Sequence, residues 1–313
     1  MDNDKQTTLS ERFGPIPNEI GFKKRMRLHQ GWWRTNVLSE EPGRHPKIET
    51  ERICNTITKG ETSKKNFLTD NSISSVEQTL TDRKEQESGL MEQDRLFNNL
   101  LSSQPLCFNF FGELNADKTF GLHVLKTFYP TLTKLRRVIF EYAPVEKYTK
   151  DNSAFDIAFE VEKNNEIGLI GWECKYTDTF STTEYDKPSY RELFSKSVSF
   201  TADFDEIKKG KTNQLFRNQL IAEGLLQNKK YTFVYTGLFC FQEDISAIDT
   251  ANGFQKLLNK ENSNFKIVTY SDFIRNVQTL NIDWKHREWT MLLWARYCAT
   301  VLSSETVKLL GTQ

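Results

Sequence analysis

The 313-residue sequence has no excess of charge of either sign: 42 Lys and Arg stand against 42 Asp and Glu. A strongly basic chain, the simplest signature of a nucleic-acid binder, is therefore excluded, although a local basic face is not. The sequence also lacks any apolar run approaching the roughly 18 residues that read as a membrane span; residues 291–295 are among the best, and they are short. The opening residues 1–5 are acidic and polar, which excludes a secretory signal peptide there. Five cysteines (Cys54, Cys107, Cys174, Cys240, Cys298) are scattered and form no CxxC pair, and His29, His45, His123 and His286 do not fall at zinc-finger spacing. The expectation is a reduced, cytoplasmic protein without structural zinc. No internal repeat is detectable. Aromatics, by contrast, are plentiful: 23 Phe, 10 Tyr and 6 Trp are enough to build a sizeable core.

Residues 1–90 are dense in Thr, Ser, Asn, Glu and Lys without lasting periodicity, and read as an N-terminal arm, partly helical or irregular. Within it, residues 20–34 carry Lys23, Lys24, Arg25, Arg27 and Arg34, no acid, and Phe22, Trp32 and Trp33. Such a segment suits phosphate contacts with a tryptophan stacked on an unpaired base. It equally suits an amphipathic element docked on a core, its lysines facing water.

From residue 91 to 313 the pattern is that of an α/β domain. Residues 91–101 read as a helix broken by 102–105, and 116–128 as a second. Residues 134–143 are strand-like. Phe155, Ile157, Phe159 and Val161 alternate with Asp156, Ala158 and Glu160 at period two, a turn follows at 162–166, and 167–176 forms the second strand of a β-hairpin. A polar insertion over 177–209 holds Lys187, Arg191 and Lys196; a helix over 213–226 and a strand over 231–240 follow. The remainder is mostly helical in pattern, with Trp284, Trp289 and Trp294 at helical spacing read as core. The order helix, three strands, helix, strand predicts a central mixed β-sheet flanked by helices.

The feature needing explanation is Asp156 in one strand and Glu173-Cys174-Lys175 in the next, 17 positions on. Charges inside apolar strands are costly when buried unpaired. Period two puts Glu173 and Lys175 on one face, with Cys174 and Trp172 on the other, and an in-register hairpin brings Asp156 beside Glu173. Two carboxylates and a carbonyl are the hard oxygens that Mg²⁺ prefers, and a neighbouring lysine can orient a water or steady charge developing on phosphorus. The triplet alone is weak, since Asp82-Arg-Lys84, Glu206-Ile-Lys208 and Asp283-Trp-Lys285 share it. Only Glu173-Cys-Lys175 lies in a strand that follows another carrying an Asp. A bare Glu173–Lys175 ion pair would explain the triplet but leave Asp156 unexplained.

Asp156, the hairpin, Glu173-Cys-Lys-Tyr176, the helix containing Gln214-Leu-Phe-Arg-Asn-Gln-Leu220 and the following strand resemble the PD-(D/E)XK nuclease superfamily, the restriction-endonuclease-like fold. The likeness is closest to bacterial proteins grouped with the restriction endonucleases, over a catalytic core of about residues 110–241. One departure is Phe155 where the name has proline. The resemblance implies that Asp156, Glu173 and the Cys174 main-chain carbonyl hold Mg²⁺, with Mn²⁺ a possible substitute, and that Lys175 positions the attacking water for phosphodiester hydrolysis. Similar folds bring a polar residue from the next helix to the site, which nominates Gln214 and Arg217, with Asn218 on the same face by i, i+3, i+4 spacing. Glu141 is a further candidate metal ligand and Glu160 a weaker one. Lys187 and Arg191 join the basic residues of 23–34 as candidate nucleic-acid contacts.

The implied function is a DNA endonuclease in restriction or anti-phage defence, with a homodimer or a defence-system partner protein as possible associates. The alternatives are a catalytically lapsed binding or scaffolding protein on a nuclease fold, and a nuclease acting on RNA or branched DNA.

Overall fold

The structure is a computed structural model describing residues 8–82 and 91–311. The N-terminal layer comprises α1 (Leu9–Phe13), α2 (Gly21–Asn36), a two-stranded ribbon of β1 (Gly43–Arg44) and β2 (Arg52–Ile53), α3 (Gly60–Ser63), α4 (Asp70–Asp82) and α5 (Gln93–Asn98). Two helices follow, α6 (Ser103–Ala116) and α7 (Lys118–Lys126), then three strands, β3 (Lys134–Tyr142), β4 (Phe155–Lys163) and β5 (Glu166–Lys175). The chain continues through α8 (Pro188–Ser195), α9 (Phe204–Ile207), α10 (Asn213–Gln227), β6 (Phe233–Cys240) and α11 (Ile245–Lys256). It closes with β7 (Phe265–Thr269), α12 (Tyr270–Gln278), α13 (Trp284–Tyr297) and α14 (Val301–Gly311).

The five long strands form one sheet in chain order, β3-β4-β5-β6-β7. β3, β4 and β5 pair antiparallel, whereas β6 and β7 join parallel to β5. This is the expected mixed sheet. Ile157, Phe159, Val161, Ile170, Trp172 and Phe239 bury one face against Phe110, Phe111 and Leu114 of α6 and Phe273 of α12. Phe111 meets Phe159 and Trp172 with ring centroids 5.4 and 5.9 Å apart, a density of edge-to-face contacts that fixes the helix on the sheet. On the other face Ala158, Leu169 and Val234 pack against Ile221, Ala222 and Leu225 of α10. α4 lies so close on α6 that a Cβ at Gly112 would come within 2.7 Å of the Ser72 Cα.

Several elements depart from the sequence reading, each for a physical reason. Residues 102–105 begin a helix rather than break one. The Ser102 hydroxyl accepts the Gln104 N–H at 3.2 Å, and Pro105 sits in the first turn, where its missing N–H leaves no bond unmade. The helix preceding it shrinks to Gln93–Asn98, and the second begins at Lys118 because Asp117 caps it. The strand β7 lies in a stretch read as helical. Phe155 does not stay with Ile157 but lies over Gly171, in a space that any side chain at 171 would close. Of the three C-terminal tryptophans only Trp289 is core; Trp284 is 68% exposed and Trp294 37%.

The N-terminal layer is packed onto the sheet domain. Met26, Phe67 and Val76 join the apolar cluster that contains the sheet's core face, and the Gln30 Nε2 donates to the Tyr176 hydroxyl at 2.7 Å and to the Arg296 carbonyl at 2.8 Å. Among the described residues, no helix is long and apolar enough to cross a membrane.

Candidate active site

The hairpin register matches Ile157 to Trp172, so the next pair outward sets Asp156 beside Glu173. The Cys174 N–H donates to the Asp156 Oδ2 at 2.6 Å, which locks the carboxylate onto the neighbouring strand. Cys174 points its own side chain into the core with Trp172, as alternation requires. Glu173 and Lys175 on the opposite face are only 4% and 7% exposed. Their heads meet: the Lys175 Nζ lies 3.0 Å from the Glu173 Oε1.

Helix α10 completes the cluster. The Gln214 amide accepts from the Lys175 Nζ at 2.9 Å and donates to the Glu173 Oε1 at 2.5 Å, while the Asn218 Nδ2 donates to the Glu173 Oε2 at 2.9 Å. Both oxygens of Glu173 are thus aimed by α10. Arg217 goes elsewhere: its guanidinium donates to the Ser153 hydroxyl at 3.1 Å and lies over the Tyr185 ring. The helical angle explains this split. Gln214 and Asn218 are about 40° apart around the axis, whereas Arg217 is about 100° from Asn218 and faces the loop before β4.

Glu141, the penultimate residue of β3, has a left-handed backbone, φ +52°. Such a conformation is strained for a residue with a Cβ. Gln104 donates to its carboxylate at 3.1 Å. Burial, then the charges of Glu173 and Glu141, push the Asp156 pKa well above the usual carboxylate value, with Lys175 and the Cys174 N–H opposing. Glu141 is therefore close enough to be felt electrostatically. Among the described residues, however, no three His, Cys, Asp or Glu side chains come together to hold an ion, so Glu141 stands outside the pair formed by Asp156 and Glu173. Burial works against the Lys175 charge, yet Glu173 and Asp156 outweigh it and raise its pKa, so the ammonium stays protonated.

The pair fits a hard divalent cation. Mg²⁺ is held by one or two carboxylates and keeps several waters, and two crowded carboxylates, one of them made harder to ionise by the other, are a donor set that a cation relieves. The pair opens into a cleft of about 910 Å³ whose walls include Glu19, Lys23 and Arg27, the ribbon residues Arg44, His45 and Lys47, and Thr177 and Asp178 just after β5.

The basic candidates are distributed unevenly. Lys23 lines the cleft and lies 3.7 Å from Glu19, Arg27 is clamped by Glu19 and Asn55, and Arg25 pairs with Glu243 at 2.5 Å outside it. Lys24 is exposed and not on the cleft. Arg34 is corrected outright: it is 1% exposed, its guanidinium donating to the carbonyls of Cys54, Phe13 and Glu40, so it is a structural tie rather than a phosphate contact. Trp33 is buried too, and Trp32 stacks on His29. Lys187 and Arg191 also lie off the cleft, Lys187 donating to the Lys150 carbonyl and Arg191 pairing with Asp186. Glu160 is occupied by Arg136 and by the Tyr231 hydroxyl. Asn218 and the ribbon are what sequence reasoning undervalued or missed; the i+4 step from Gln214 pointed to the first, and nothing in the sequence pointed to the second.

A family model described as the PD-(D/E)XK nuclease superfamily matches residues 17–299. The chain belongs to that superfamily, and its five-stranded mixed sheet flanked by helices is a restriction-endonuclease-like fold. No curated protein and no solved structure matches it significantly.

Proposed function

We infer that the protein is a Mg²⁺-dependent endonuclease acting on DNA, with Asp156, Glu173 and the Cys174 carbonyl as the metal-holding groups and Lys175 as the charged donor at the scissile phosphate. The observation that carries this reading is the convergence of Asp156, Glu173 and Lys175 at one cleft, with both carboxylate oxygens of Glu173 aimed by α10. A bound divalent cation supplies Lewis acidity and a water of lowered pKa. The chain's own groups do the rest. Lys175, kept protonated by the two carboxylates, serves as a hydrogen-bond donor that orients the attacking water and stabilises charge growing on the phosphate oxygens, not as a base. Gln214 bridges Lys175 and Glu173 and holds both heads in fixed geometry. A role in restriction or anti-phage defence fits this chemistry, and a homodimer would supply the two sites that double-strand cutting needs.

The test is cleavage of plasmid, linear duplex, single-stranded DNA and RNA in Mg²⁺, Mn²⁺ or EDTA, with Asp156→Ala and Lys175→Ala beside the wild type. Metal-dependent cutting of DNA that both substitutions abolish is the expected result. Cutting confined to RNA overturns the substrate; no cutting of any nucleic acid, with binding intact in both variants, overturns the enzyme.

A further inference from the structure

The cleft is lined by side chains of both charges, and part of its basic lining comes from the ribbon. The ribbon formed by β1 and β2 pairs Gly43 with Ile53 and Arg44 with Arg52 and closes through His45 N–H to the Glu51 carbonyl at 2.8 Å. Its charged or titratable side chains on the cleft are Arg44, His45 and Lys47; the ribbon's acids, Glu49 and Glu51, are not on it. The same cleft is lined by Asp156, Glu173 and Asp178 and, from α2 and α5, by Lys23, Arg27 and Arg95.

The ribbon is firmly mounted. Gly43 N–H donates to the Thr56 carbonyl at 2.8 Å, Ile57 N–H to the Asn98 carbonyl at 3.0 Å, and Leu100 N–H to the Asn55 carbonyl at 2.9 Å. Asn55 in turn accepts from Arg27 and donates to Asn99 at 3.0 Å. Arg34 ties the Cys54 carbonyl at 2.9 Å. Arg27 and Arg34 of α2, which suggested phosphate binding, therefore act one step back: they brace the hairpin that carries Arg44, His45 and Lys47. That hairpin is also set to donate. The His45 Nδ1 accepts the N–H groups of Lys47 and Ile48 at 3.1 and 3.0 Å, which leaves the ring hydrogen on Nε2.

We propose that Arg44, His45 and Lys47 of the ribbon grip the phosphate backbone of the nucleic-acid strand lying in the cleft. This rests on the nuclease reading and names the phosphodiester backbone as what the ribbon holds. Arg44, although paired to Glu49 at 2.9 Å, is half-exposed and exchanges that partner for a phosphate. Binding through such contacts releases counterions, so it must weaken with salt in proportion to the number of phosphates neutralised.

The experiment measures the Kd of the wild type, Arg44→Ala/Lys47→Ala and Lys126→Ala/Lys285→Ala for a labelled single strand and for a duplex. Each is titrated across salt concentrations with Ca²⁺ in place of Mg²⁺. The second double variant removes the same charge from exposed positions away from the cleft. Loss of two phosphate contacts lowers the slope of log K against log salt by about 1.4 for the single strand or about 1.8 for the duplex. The ribbon variant shows that drop with at least about tenfold weaker binding at low salt, while the control keeps the wild-type slope. Whichever substrate shows the drop is the one the ribbon holds. Equal slopes for the two double variants, on a wild type that binds and cuts, overturn the ribbon's role and leave the nuclease intact. A wild type that binds neither substrate overturns both. Thermal melting of each variant separates a binding loss from a folding loss.

Discussion

Replacing Asp156 by Asn should make the metal-free protein more stable and the protein useless as a catalyst. The Asn carboxamide keeps an oxygen for the Cys174 N–H now bonded at 2.6 Å, so shape and hydrogen bond survive and the charge goes. In the native site that charge is repelled by Glu173 and Glu141 and attracted by Lys175. At an effective dielectric near 20, two unit charges about 4 Å apart interact by about 4 kcal/mol, which bounds each contact from above. The repulsions, offset in part by Lys175 and by water at the partly exposed carboxylate, leave a net of about 1–3 kcal/mol. For a chain of this size that is a rise in Tm of roughly 2–5 °C in EDTA. The gain must depend on pH. Below the ordinary carboxylate value Asp156 is protonated folded and unfolded alike, and wild type and variant melt together. As pH rises through that value the unfolded chain ionises first, the folded one resists because its pKa is raised, and the wild type loses stability until its own carboxyl ionises. The gap therefore opens with rising pH and then stays open. With enough Mg²⁺ the order reverses, since a ligand at about 1,000 times its Kd adds about 4.1 kcal/mol to the wild type alone. Melting curves at several pH values, with EDTA and with Mg²⁺, read all of this. An Asp156→Asn protein that melts lower than wild type in EDTA at neutral pH would refute the idea of two carboxylates held together against their repulsion.

Asn218→Ala removes the donor to the Glu173 Oε2; loss of a partner that aims a metal-holding group lowers activity about 10–100-fold. It should also cost about 1.5–3 kcal/mol of stability, and unchanged kinetics at saturating metal would refute its role. His29 is buried, its Nε2–H donating to the Ala295 carbonyl at 3.0 Å, and burial lowers its pKa to about 4. Its folded pKa lies below the unfolded value, so stability should be full above about pH 6.5 and fall as pH drops towards 4, by about 3 kcal/mol in all. Denaturant unfolding at pH 7.5 and pH 5 reads the loss, and His29→Gln should flatten it.

The strands bearing Asp156, Glu173 and Lys175 were legible because a hairpin's two-residue period is rigid bookkeeping: once 156–161 alternates, these three have only one face to occupy. The α10 face was legible to within one residue, the error being which side of Gln214 turned to the site. The α6 start was lost because a proline reads as a breaker unless its place in the first turn is known. The ribbon was invisible for another reason. Its strands are two residues each, and its position depends on bonds to residues 98–100, over forty positions away, which no local pattern encodes. Arg34 and Trp33 misled because a basic, aromatic helix looks the same whether its charges face phosphate or backbone carbonyls.

The bonds from α2 to the far end of the chain bear on how the molecule is made. Gln30 reaches the Arg296 carbonyl and His29 reaches Ala295 and Ser303, across 266 to 274 residues. During synthesis α2 lacks these contacts until residues 295–303 emerge, long after the hairpin bearing Asp156 and Glu173 has been completed. The bonds that mount the ribbon, by contrast, all lie within residues 13–100 and are available early. A chain cut short before residue 295 would therefore keep the ribbon and both carboxylates and lose only the clasp between α2 and the C-terminal helices.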